Sequence, residues 1–273
     1  MAGWVDYVKM HGMIYYYYDK VLVANCNLKN LEPYAGKVGK DYVVQLLVYS
    51  LETENAPLSA PVGISADGDF YFAVISGKII YQIHKDGRLI RAYAADSCWV
   101  EKTIMGAPMA VLAMLQGKIL LSGAFLSAGD GIYVFLGETE GLNGQGLIRE
   151  DTVLIEERRK SWRGVPGSYP GHEAAQSLAS PWIPKLKGIF AVRREGKKSR
   201  IAPMEREEAK ELLAENFVGY SLFSQELRQA VRDSESMNRV CGEIPVKVLT
   251  LGEDCGASGL DEESILKLIS QEQ

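Results

Sequence analysis

The residues best placed for chemistry lie in one short segment that is rich in glycines and carboxylates. Closely spaced glycines can turn consecutive backbone N–H groups toward an anion. They can also simply let a short loop turn, and this is the interpretation we favour. The acidic pair Glu150-Asp151 comes just after them and precedes the apolar run Thr152 to Glu156, which we predict to be a strand. The glycines are Gly137, Gly141, Gly144 and Gly146.

Two further groups could take part in binding. A basic cluster could hold a phosphate or an acidic partner, but Glu195 and an acidic helix from Glu205 flank it, which favours an exposed hairpin turn. His172 lies in a segment rich in Pro, Gly and Ser, and no Cys, Asp or second His stands at metal-ligand spacing from it, so we expect a solvated histidine. The basic cluster consists of Arg193, Arg194, Lys197, Lys198 and Arg200.

Composition excludes several classes of protein. The 273 residues include 30 basic and 35 acidic side chains, and a net charge of −5 offers no broad attraction to nucleic acid or anionic lipid. The four cysteines show no C-x-x-C spacing, which argues against disulfide frameworks and zinc knuckles and favours the cytoplasm. Neither a G-x-S-x-G elbow nor an H-E-x-x-H motif occurs. A homo-oligomer is compatible with the sequence.

The first hundred residues, 1–100, are predicted to form a β-rich lobe. The tyrosine-rich run 13–18 and the run 42–51 are β-prone, and in a strand two of the four consecutive tyrosine rings would be exposed or available to a partner. Turn residues between the later apolar runs predict a three-strand meander. Its strands are expected over residues 69–75, 79–84 and 89–94.

Residues 101–273 are predicted to form an α/β domain, a mixed sheet flanked by helices. Pro108 and the polar residues Gln116 to Lys118 and Ser122-Gly123 interrupt the long apolar segment 104–126. We therefore expect a core helix over 107–115 and a buried strand, not a membrane span. Further strands are expected over 119–126, 131–136, 152–156, 188–193 and 246–251. Helices are expected over 205–217, over 221–231 and after a capping box at Ser258–Asp261. Residues 160–184, which include Trp162, Tyr169 and Trp182, are expected to form surface loops.

The stretch from Ala110 to Ile155 resembles the core of the HPr kinase-like family, whose phosphate site is of the phosphoenolpyruvate carboxykinase type. Gln116-Gly117-Lys118 is similar to the family's turn before the first strand, and the strand ending at Gly137 is similar to the one that leads into the phosphate loop. Glu150-Asp151 are similar to the acidic pair that introduces the third strand. The resemblance runs from about Glu101 to the carboxyl end and implies a domain like the carboxyl-terminal domain of HPr kinase.

The chain departs from this family at the phosphate loop. A working loop has consecutive N–H groups at a helix start, a Lys and a Ser or Thr. After Gly137 this sequence has Glu138 and Glu140 and no Lys, and only 13 residues separate Gly137 from Asp151, too few for the loop, its helix and a return to the next strand. The helix is therefore expected to be deleted. Ser122 stands where the family has a strand histidine.

The resemblance implies that Asp151, with Glu150 beside it, corresponds to the acid that binds magnesium or accepts a proton in the active kinases. Without a phosphate cradle we interpret the pair as a relic. We expect a catalytically inactive binding or regulatory module without cofactor, whose partner is a peptide or protein of a bacterial peptide-modification system. One alternative is an active ATP-dependent serine phosphotransferase that uses ATP and Mg²⁺ at a rebuilt site around Asp151 and the basic cluster. Another is an interaction protein whose β-rich lobe adds a strand to a partner.

Overall fold

The computed structural model describes residues 13–17, 20–29, 42–53, 56–57, 62–142, 147–167, 183–255 and 259–271. These form two compact units. The first contains the described residues up to Gln116 together with Ser221–Leu227, and the second contains the described residues of Gly117–Ser168, Ser177–Tyr220 and Arg228–Gln273. Each unit is built on a seven-stranded mixed sheet, so the α/β class is confirmed. The likeness to HPr kinase remains a prediction.

The sheet of the first unit has the strand order β1-β2-β3-β7-β6-β5-β4. The predicted meander is present as β5, β6 and β7, which pair antiparallel. Strands β2, β3 and β7 run parallel to one another. Neither β2 nor β4 was predicted from the sequence. The strands are β1 (Met13–Tyr17), β2 (Lys20–Ala24), β3 (Tyr42–Ser50), β4 (Gly63–Asp67), β5 (Phe70–Ser76), β6 (Ile79–His84) and β7 (Leu89–Ala94).

Two helices follow this sheet. Helix α1 (Ser97–Thr103) was not predicted, and the Asp96 carboxylate caps it by accepting the Trp99 N–H at 3.3 Å. Helix α2 (Ala107–Leu115) has the predicted bounds, and its residues 107–113 are all buried. No single helix among the described residues is long and apolar enough to cross a membrane; only α1 and α2 together reach the length, with a bend of 54° between them.

The sheet of the second unit has the order β11-β10-β8-β9-β12-β14-β13. Strands β9, β12 and β14 are parallel neighbours, and the remaining pairs are antiparallel. Its strands β8, β9 and most of β10 lie in the segment that resembles the kinase core. Its strands are β8 (Ile119–Ala128), β9 (Gly131–Gly137), β10 (Leu147–Arg158), β11 (Ser161–Gly167), β12 (Lys185–Arg194), β13 (Arg200–Pro203) and β14 (Val246–Leu251).

Strand β11 corrects the prediction that residues 160–184 form loops. It pairs with β10 through a two-residue connection, Arg159-Lys160, in which both residues have positive φ (52° and 59°). Such connections favour Asn and Gly, so the sequence Arg-Lys gives no turn signal. Residues 168–182, with Tyr169, His172 and Trp182, lie outside the described part of the chain, and so does His11.

The carboxyl-terminal part is largely helical, as predicted, with different boundaries. The single helix predicted over 221–231 is replaced by a 3-10 turn (Tyr220–Leu222) and a helix that begins at Gln225. Asp261 caps the last helix by accepting the Ser264 N–H at 2.8 Å, whereas Ser258 lies outside the described residues. The helices are α3 (Arg206–Glu215), α4 (Gln225–Arg232), α5 (Glu235–Glu243) and α6 (Glu262–Gln271).

Helix α5 is fastened to the hairpin of β10 and β11. The Trp162 indole N–H donates to the Glu243 carboxylate at 2.8 Å, and the Arg239 guanidinium binds Glu157 at 2.7 Å and Glu243 at 3.0 Å. Arg239 also lies over the Trp162 ring at 5.5 Å. Trp162 is only 5% exposed, so it is a packing residue of this hairpin.

Close packing at Gly123, inside β8, yields a first prediction. A Cβ at this position would lie 2.4 Å from the Phe135 carbonyl oxygen and 2.9 Å from the Leu136 side chain. Gly123→Ala is therefore expected to lower the free energy of unfolding by about 1–3 kcal/mol, measured by urea denaturation. Gly77→Ala is the control, because a Cβ there meets no atom within 4 Å. Equal stability of the two variants would contradict the packing at Gly123.

The ion pair of Glu157 yields a pH-dependent prediction. The hydrogen bond from Arg239 holds the pKa of Glu157 below its ordinary value of 4.5. A lowered carboxyl pKa stabilises the fold above the unfolded pKa, and this contribution disappears as the pH falls through the folded pKa. Glu157→Gln should thus be less stable than wild type at pH 7 by urea denaturation, and the difference should shrink as the pH falls below 4.5. In an Arg239→Gln background the difference should vanish, and a difference that persists there would refute the assignment.

Candidate functional site

The glycine-rich segment and the basic cluster begin at the ends of two neighbouring parallel strands, β9 and β12, and a third parallel strand, β14, lies beside β12. Strands β9, β12 and β14 end at Gly137, Arg194 and Leu251, so their carboxyl ends lie together at one end of the sheet. In open α/β sheets, ligands bind outside the carboxyl ends of the strands. We call this end of the sheet the strand-end site. It comprises residues 137–142, 193–199 and 251–255.

Gly137 has a packing role at this site. Its φ is +92°, and a Cβ would lie 2.9 Å from the Val192 carbonyl oxygen on β12. Glycine is therefore required where the two strands approach at their ends. The chain continues into a three-residue 3-10 turn (Thr139–Gly141), which is the only helical segment in residues 138–142. Gly144 and Gly146 lie outside the described residues.

Glu138 makes two hydrogen bonds with β12 at the strand-end site. Its backbone N–H donates to the Val192 carbonyl oxygen at 3.2 Å. Its carboxylate Oε2 accepts the backbone N–H of Arg194 at 3.0 Å. A protein carboxylate therefore takes an N–H group at the end of β12, in the manner in which a bound anion would take it.

Three further N–H groups of the site have acceptors within the chain. The Glu195 N–H donates to the Leu251 carbonyl at 3.2 Å, and the Glu253 N–H donates to the Gly196 carbonyl at 3.2 Å. The Gly252 N–H donates to the Ser199 hydroxyl at 3.1 Å. Gly252 packs so tightly that a Cβ would lie 2.4 Å from the Lys198 backbone. The loops after β12 and β14 thus fasten to each other and leave these donors engaged.

The basic cluster is exposed, as predicted, but it is not a hairpin turn. Strand β14 lies between β12 and β13, so the cluster crosses over the end of a neighbouring strand. Arg193 binds the Glu208 carboxylate on α3 at 2.6 Å. Its charge is thereby partly compensated before any ligand approaches.

The acidic pair lies inside β10, whereas the sequence placed it before the strand. The strand begins at Leu147. Its register with β8 shifts between Ile148 and Asp151, so the polar residues lie at an irregularity of the strand pairing. The Asp151 backbone pairs with Gly123. Strands β8 and β9 separate it from β12, which places it three strand spacings, about 14 Å, from the strand that leads into the basic cluster. The two halves of the alternative catalytic site therefore lie on different strands.

Metal-ligating side chains are not grouped in the part of the chain that the structure describes. No three His, Cys, Asp or Glu side chains there could hold a metal ion together. His84, at the end of β6, contacts the Asp86 carboxylate at 3.0 Å in its own turn. Burial raises the pKa of Cys241 to about 11, so this thiol is a poor nucleophile at neutral pH.

Comparisons with known proteins leave the family open. A search against protein-family models finds no match, and a search of curated proteins finds none either.

The contact of Glu138 yields a prediction about stability. Glu138→Ala removes the acceptor of the Arg194 N–H and should lower the free energy of unfolding by about 1 kcal/mol. Glu140→Ala is the matched control, because Glu140 is exposed on the same 3-10 turn, and its effect should stay within about 0.5 kcal/mol. Urea denaturation of both variants checks this. If both changes are neutral, the hydrogen bond contributes nothing to the closure of the site.

Proposed function

We propose that this chain is a catalytically inactive HPr kinase-like protein that acts as a binding or regulatory module. The observation that carries the proposal is the Glu138 carboxylate at the strand-end site, which accepts the Arg194 N–H. In the family that the sequence resembles, a phosphate loop follows the strand that corresponds to β9. Here a three-residue turn and a carboxylate follow it.

The electrostatics of this position argue against nucleotide binding. A phosphate cradle needs several free N–H groups and a cation at one place. At about 4 Å and an effective dielectric constant of about 20, two like charges repel by about 4 kcal/mol. A triphosphate at the strand-end site would meet Glu138 and would have to break the hydrogen bonds that the loops make with each other. We therefore expect no ATP and no Mg²⁺ to bind.

The active alternative, an ATP-dependent serine phosphotransferase, needs Asp151 beside the basic cluster. The intervening strands β8 and β9 hold the two apart. We therefore keep the interpretation of Glu150 and Asp151 as a relic. The partner of the module is a peptide or protein, which is what the resemblance to companions of bacterial peptide-modifying systems implies.

Nucleotide titration tests the proposal. We expect the melting temperature to change by less than about 1 °C in 1 mM ATP with Mg²⁺. A site with a Kd of about 10 μM would stabilise the chain by about 2.7 kcal/mol, which is a rise of several degrees. Asp151→Asn, measured in parallel, should behave as wild type does. A rise of several degrees that Asp151→Asn abolishes would establish the phosphotransferase instead.

A further inference from the structure

Among the described strands, four lie at the edges of the two sheets, and three of these edges are closed. An exposed strand edge offers unpaired N–H and C=O groups to any other chain, so proteins cover or shorten their edges. Strand β4 is covered within the first unit: Ile64 pairs with Phe223, and the Ser224 N–H donates to the Ile64 carbonyl at 2.8 Å. This edge has no room for another strand at that point.

Both edges of the second sheet are closed in other ways. Strand β11 turns toward β12, where the Gly164 N–H donates to the Pro184 carbonyl at 3.2 Å and Arg163 pairs with Lys185. Strand β13 has only four residues and ends at Pro203, which has no N–H to offer. Neither edge provides a continuous row of donors and acceptors.

Strand β1 differs from these three. Its five residues, Met-Ile-Tyr-Tyr-Tyr, contain no charge and no proline, and all five pair with β2 in continuous antiparallel register. Among the described residues β2 is its one strand neighbour, so β1 ends the sheet. Met13, at its start, is 38% exposed. Charge, proline and a break in register, which protect many strand edges, are absent from β1.

We propose that the outer edge of β1, with which no described strand pairs, binds an extended peptide segment of another polypeptide as an added strand. Main-chain hydrogen bonds supply affinity in this mode and leave the peptide sequence loosely specified. The edge is about 17 Å long, which suits a short peptide. A second copy of the chain paired through β1 alone would bring five residues a side, against about 20–30 a side in a standard interface, which favours the peptide. Such a peptide is the partner that the proposed binding role calls for.

The probe is a phage-displayed library of random twelve-residue peptides, selected on the full chain. One enriched peptide is then labelled with fluorescein and titrated by fluorescence anisotropy. Successive N–H groups of a strand point to opposite sides in the plane of the sheet, so one of Tyr15 and Tyr16 donates toward β2 and the other toward the free edge. Tyr15→Pro and Tyr16→Pro are therefore matched variants, each of which removes one N–H.

We expect the two variants to behave oppositely. The proline that replaces the inward donor should lower the melting temperature, and the other should leave it near the wild-type value while weakening peptide binding at least tenfold. Amide hydrogen exchange of β1 should slow when the peptide binds. A variant pair that binds as wild type does, or a library from which no peptide is enriched, refutes the added strand.

Sedimentation of the chain without peptide tests whether a second copy of the chain pairs with β1 instead. A dimer that the edge-facing proline dissociates would show that a second copy, not a peptide, covers β1, and would overturn the proposal. Nucleotide binding is measured on the same samples. A rise in melting temperature with ATP, together with intact peptide binding, would refute the inactive assignment and leave the added-strand proposal standing. No response to ATP, together with no peptide binding at β1, would refute the added strand alone.

Discussion

The hydrogen-bonding requirement at the ends of β9, β12 and β14 governs the second unit. Parallel strands that end together leave N–H and C=O groups that need partners, and in many α/β proteins a ligand supplies some of them. Here the chain supplies them: Glu138 accepts the Arg194 N–H, and the loops after β12 and β14 donate to each other. The loops fit only because Gly137 and Gly252 let the backbones approach. Closure of the site and packing of the strand ends are therefore one feature.

Local patterns were sufficient to predict much of the fold. Helix α2 and strands β6, β7 and β14 have the predicted bounds, because each is a compact apolar run between turn residues. Elements without such a pattern were missed. Helix α5 contains few apolar residues, and its position depends on the contacts of Arg239 and Glu243 with the β10–β11 hairpin. The turn Arg159-Lys160 carries no Gly or Asn, so the hairpin itself could not be predicted.

The absence of a Lys and the short interval before Asp151 predict that a phosphate cradle is missing, and this stays a prediction. The geometry of the strand-end site could not be predicted. No sequence pattern showed that Glu138 would reach the Arg194 backbone, because 56 residues separate them and the contact exists only once β9 and β12 pair. The acidic pair was misplaced for a related reason. Arg149, Glu150 and Asp151 interrupt the apolar alternation, so the sequence predicted that the strand starts after them. In the structure β10 includes these residues because its register with β8 shifts there, and such a shift has no local sequence signal.

A β-sheet leaves donors and acceptors open in two places, at the ends of its strands and along its outer edges. In this chain the strand ends of the second sheet are engaged by the chain's own carboxylate, hydroxyl and carbonyl groups. Three of the four outer edges are covered, closed or shortened. Within the part of the chain that the structure describes, β1 is then the edge strand that no other segment covers and no proline interrupts. A binding role for this chain consequently requires no remnant of phosphate chemistry, since the backbone of one strand can provide the recognition.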